Sequence, residues 1–136
     1  MLLTLSAFLL FIASCGSEDV SRDSVPAPWR LDPAVVAPTA DALVLQVLVS
    51  DIGCASGRSA DDHISKEATV EYETIEYGNA AVVVTFEAAP LSGPQTCPKP
   101  PPARRTVHLK QPVGTTKIVD GATHLVRYPS DAQPLP

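Results

Sequence analysis

The chain has 136 residues, 45% hydrophobic and 18% charged, with fourteen prolines and a formal net charge of −5. That length holds one domain with a modest core. The acidic balance, with no tighter basic cluster than Arg104-Arg105, excludes an electrostatic nucleic-acid binder, and the proline content excludes a helical bundle.

Leu2 to Ala13 is apolar apart from Thr4 and Ser6 and carries no charged side chain. As a helix it would span roughly 18 Å against a hydrocarbon core of ~30 Å, so residues 1–14 suit a signal peptide better than a transmembrane anchor. Ile12-Ala13-Ser14-Cys15 follows directly and resembles the lipobox of bacterial lipoproteins: an aliphatic residue, two small ones and a cysteine. The resemblance implies cleavage before Cys15 and diacylglycerol on its thiol. It also implies palmitate-type acylation and a mature chain anchored in the cell membrane or outer membrane, outside the cytoplasm. Two acyl chains at ~0.8 kcal/mol per buried methylene give stable anchoring. One departure is that no Lys or Arg precedes the apolar run.

Residues 15–40 read as a flexible tether, without sustained periodicity and broken by Pro26, Pro28, Pro33 and Pro38. Trp29 is expected to dock on the edge of the domain. With Cys15 assigned to lipid, Cys54 and Cys97 remain as an even pair in an oxidising compartment, and a disulfide is predicted. Neither has a partner at CxxC spacing, as a structural zinc site would require.

Residues 41–128 read as a β domain. Leu43, Leu45, Val47 and Val49 alternate with more polar neighbours and predict a strand with one buried face. Gly78-Asn79 reads as a two-residue hairpin turn before the alternating Ala80–Glu87 run. Straight pairing from that turn would bury Glu71 and Glu73, so a β-bulge is predicted at Glu73-Thr74. Pro90 to Arg104 is a loop, followed by short strands over 106–110, 115–119 and 123–128 and a loose tail over 129–136. The predicted fold is all-β, a small antiparallel sandwich or barrel stapled by one disulfide. The Gly53-Cys-Ala-Ser-Gly57 turn, the Val-Val-Val-Thr-Phe strand and the distant Thr96-Cys97 resemble a group of small secreted bacterial domains whose roles are uncharacterised. That resemblance brings no activity with it.

No residue pattern in the sequence points to a catalytic residue, metal site or cofactor. Asp61-Asp62-His63 is the most suggestive polar cluster, and a metal-binding or hydrolytic domain using Asp61, Asp62 and a histidine is the alternative reading. As a solvated loop, however, the cluster needs no further explanation. Ser56 is one residue out of step with a GxSxG elbow, and His108 falls on the polar phase of its strand. Glu67, Glu71, Glu73 and Glu76 share the wet face of one strand. The expected function is therefore a non-catalytic binding or structural module held at the membrane. Its expected surface is the loop pair 53–63 and 90–105, where Lys99, Arg104 and Arg105 would meet an envelope protein or other anionic partner.

Overall fold

Period-two alternation puts Leu45, Val47 and Val49 on one inner face and Val82, Val84 and Phe86 on another, and the fold closes around these two rows. The computed structural model describes residues 23–74, 80–114 and 116–128. Cys15, the apolar leader, the Gly78-Asn79 turn, Glu76 and the 129–136 tail lie outside them. The strands are β1 (Val25–Ala27), β2 (Trp29–Leu31), β3 (Val44–Val49), β4 (Thr69–Thr74), β5 (Ala80–Ala88), β6 (Ala103–His108), β7 (Lys117–Asp120) and β8 (Val126–Tyr128). One sheet contains β1, β4, β5, β7 and β8; the other runs β2-β3-β6. The fold is all-β, as the alternation predicts, a small two-layer structure stapled by the Cys54–Cys97 disulfide that the cysteine count predicts.

The tether reading fails over residues 25–31. β1 pairs antiparallel with β5 and β2 with β3, so one extended segment leaves the first sheet at Pro28 and joins the second. Prolines are tolerated here because β1 is a three-residue strand and Pro28 sits between two ladders, where no ladder N–H is lost. Such sheet-switching corners are how packed sheets become partly closed. Trp29 is accordingly not docked on an edge. It is 1% exposed, at the centre of the core, and its indole Nε1 donates to Val84 O at 2.8 Å.

The predicted bulge is also absent. β4 pairs with β5 without interruption from Thr69↔Thr85 to Thr74↔Ala80. Tyr72 faces Val82 and Val70 faces Val84, so the register is displaced by two residues from the one expected, which preserves the side-chain phase. A register irregularity falls instead between Ile118 and Val119, where β7 meets β8. One ladder, β5 with β7, is parallel, because the chain crosses to the second sheet as β6 before returning.

Ala88 is bridged by both Val25 and Ile64, so β1 occupies the β5 edge opposite the one that carries Ile64 and β4. β7 lies on that same edge farther along, and Gly121 donates to Val84 O where β7 ends. A methyl group on Gly121 would meet Thr85 Oγ1 at 1.9 Å, so the close approach admits no side chain there.

Replacing Trp29 with Ala should lower stability by about 4 kcal/mol, as truncation of a buried aromatic does. Urea unfolding of the full chain checks this; a loss under ~0.5 kcal/mol would be the signature of a tether residue.

Candidate functional site

The loop pair expected to form a surface is brought together. Cys54 and Cys97 hold their Cα atoms 4.9 Å apart across 43 residues of chain. In the chain-entropy model, closing a loop of that length contributes about 4 kcal/mol. The Gly-Cys-Ala-Ser-Gly motif makes the turn that this requires. Gly53 and Gly57 have φ of 55° and 70°, and Ala55 and Ser56 share the left-handed region at 52° and 48°. Non-glycine residues there cost roughly 1–2 kcal/mol each, and the turn is fastened from outside. Ser56 Oγ donates to Gln95 Oε1 at 2.9 Å and accepts the Thr96 N–H. The hydroxyl is thus a cross-loop strut.

Beneath the turn, Asp51 is fully buried and receives the Arg58 guanidinium as a fork, Nε to Oδ2 at 2.7 Å and Nη2 to Oδ1 at 2.8 Å. Arg58 also donates to Ala89 O, and the Ile52 N–H adds a bond to Asp51. Burial pushes the Asp51 carboxyl up, but the Arg58 bonds, the Ile52 N–H and the charges of Arg58 and His63 outweigh it. The group is held below the ordinary carboxylate range.

The result is an open cleft of about 470 Å³ between Gly57–Asp61 and the Pro98–Ala103 segment. Lys99 stands on its wall, exposed. The other two candidate residues point elsewhere, because neighbours on a strand face opposite sides. Arg104 projects from the outer face of the second sheet, 73% exposed, with Nη1 3.6 Å from Asp32 Oδ2. Arg105 turns inward and cannot serve as a surface contact. It donates to the carbonyls of Ser65, Ile64 and Asp61 and to the Asp61 carboxylate, locking the helical turn α1 (Ala60–His63) onto β6.

That clamp also decides the fate of the Asp61-Asp62-His63 cluster. It is a helical turn rather than an open loop, and Asp61 is engaged by Arg105 and Lys66, whose bonds hold its carboxyl low. Asp62 and His63 line a different, apolar-walled cleft with Ser24 and Glu87. His63 Nδ1 lies 2.8 Å from Ser59 O. Among the described residues no three His, Cys, Asp or Glu side chains converge on a common point. His108 is exposed on β6, on the polar phase as expected, and Glu71 and Glu73 lie on the wet side of β4.

Sequence reasoning missed two buried acid–base pairs. Asp51–Arg58 and Asp120–Arg127 each span seven residues, an aspartate at a strand's end and an arginine beyond a small-residue turn. The repeated spacing was the available signal. No protein-family model matches the chain, and no curated protein or solved structure matches it.

A carboxyl lowered on folding stabilises the fold above its unfolded pKa of about 3.9, and that contribution disappears as pH falls through the lower folded value. Asp51→Asn should therefore cost roughly 3 kcal/mol at neutral pH by stranding Arg58. Its stability should then fall less steeply than the parent's below about pH 4, read from urea midpoints across an acid series.

Proposed function

We propose that the chain is a bacterial envelope lipoprotein, acylated at Cys15, whose β domain is a non-catalytic binding module. The observation that carries the binding reading is the disulfide-clasped cleft between Gly57–Asp61 and Pro98–Ala103. It opens between loops on a rigid sheet, where recognition surfaces concentrate. The two fully buried carboxylates among the described residues are occupied: Asp51 by Arg58 and Asp120 by Arg127. Lys99 gives the cleft a cationic wall suited to an anionic group on an envelope partner.

The anchor reading rests on the apolar leader and the Ile12-Ala13-Ser14-Cys15 motif. Among the described residues the first strand begins at Val25, and ten residues from Cys15 to it span about 35 Å at most. A domain so tethered works within one molecular diameter of the bilayer.

Intact mass of the membrane-extracted protein tests the proposal. The expected species lacks residues 1–14, carries a diacylglycerol adduct and gains two hydrogens on reduction. An unacylated mass retaining Met1 would overturn the anchor. Stoichiometric metal, lost on Asp62→Ala, would replace the binding module with the metal-dependent alternative.

A further inference from the structure

The outer face of the second sheet carries a feature that neither the cleft nor the core accounts for. Strand alternation points Arg30, Val44, Gln46, Leu48, Arg104, Thr106 and His108 away from the core. None of these outward positions is acidic, although the whole chain carries −5. Arg30, Leu48 and Arg104 form one cross-strand row, two guanidinium groups flanking an aliphatic side chain. Asp32, the carboxylate nearest Arg104, is itself buried. Lys66 and Glu67 border the face where it meets the first sheet.

Beside this row is an apolar shelf. Val36 is 91% exposed, and Val35 and Val44 are each more than two-fifths exposed. Val35, Val36 and Val44 line one shallow cleft with Leu31 and Pro38, so they form a single surface. The loop that presents Val36 is fixed from below, Asp32 accepting the Ala34 N–H on its side chain and the Val35 N–H on its carbonyl. Asp41, at the far edge of the loop, is bonded to the Thr39 hydroxyl.

Aliphatic side chains held out to solvent next to guanidinium groups suit the boundary between acyl chains and anionic headgroups. We infer that the outer face of the β2-β3-β6 sheet, with its Val35-Val36 shelf, is a second membrane contact that lays the domain against anionic phospholipid. The inference rests on the anchor at Cys15 to bring the face within reach. A protein partner would need carboxylates set against Arg30 and Arg104 and an apolar knob for the Val36 cleft. A bilayer of anionic lipid supplies both chemistries at every point within the tether's length.

Hydrogen–deuterium exchange of the full, membrane-extracted chain tests it, in vesicles of phosphatidylcholine alone and of equimolar phosphatidylcholine and phosphatidylglycerol. Amides of residues 33–41 should exchange roughly thirtyfold more slowly on the anionic vesicles, the scale that two cations contribute at such a surface. Arg30→Gln with Arg104→Gln should remove the difference. So should Val36→Asp, at a position too exposed to disturb folding. Acylated protein with equal exchange on both vesicles would overturn the contact and leave the anchor standing. Unacylated protein that sediments with the anionic vesicles alone would overturn the anchor and support the contact; sedimentation with neither would overturn both. Protection that follows protein concentration rather than lipid charge would assign the face to a second copy of the chain and overturn the membrane reading.

Discussion

Everything in this fold turns on how the two sheets are joined at Trp29. The extended segment changes sheets at Pro28, so the next backbone N–H arrives where neither ladder supplies a carbonyl. A buried N–H without a partner is costly, and Asp120 provides the acceptor, Oδ2 at 3.2 Å from Trp29 N. The same carboxylate oxygen takes the Thr123 hydroxyl and Arg127 Nη2, while Oδ1 takes the Ala122 N–H. One fully buried aspartate thereby closes the corner, shapes the turn after β7 and fixes the arginine of β8. The Trp29 indole and the Gly121 N–H both reach Val84 O, using its two acceptor sites. The corner, the parallel strand and the core are consequently one cooperative unit.

The same pairing recurs around the molecule. Asp51 is held by Arg58, Asp61 by Arg105 and Asp120 by Arg127, each pair joining a turn to the sheets. Three arginines are thus withdrawn into structural roles. Arg30 and Arg104 remain outward, Arg104 with a long contact to Asp32 and no fork of hydrogen bonds. Buried ion pairs are a poor source of net stability, but removing one partner is severe. Their effect here is to fix which turns can exist beside the disulfide and beside the corner.

The sequence made legible those elements whose side chains alternate over several residues. β3, β5 and β6 stand out because Leu45-Val47-Val49, Val82-Val84-Phe86 and Val107 keep period two, and counting cysteines found the staple. β1 and β2 are too short to show a period, and their prolines carry the signature of a linker. Only the partner ladders and the Asp120 acceptor make them strands, and both are distant in sequence. The hairpin register depended on where the turn was placed, which alternation leaves free by any even number of residues. Arg104 and Arg105 look like one patch in sequence, yet strand geometry sends one to solvent and the other beneath α1. The apolar shelf escaped notice because Val35 and Val36 sit in a proline-rich stretch that carries no periodic signal.

β6 relates the two candidate surfaces to each other. Ala103, at its start, lines the disulfide-clasped cleft, whereas His108, at its end, lies opposite Val44. At about 3.3 Å per residue, roughly 17 Å of rigid strand separates the cleft from the apolar shelf. The outward face runs along the strands, and the cleft opens at their end, where Arg104 follows the cleft-lining Ala103. A domain laid against lipid through Val36, Arg30 and Arg104 therefore holds Lys99 and the cleft beside the lipid surface. The Arg105 clamp ties α1, and with it the cleft wall, to the strand that carries Arg104. Orientation at the membrane would thus fix the direction in which the cleft faces, which a tether alone could not do.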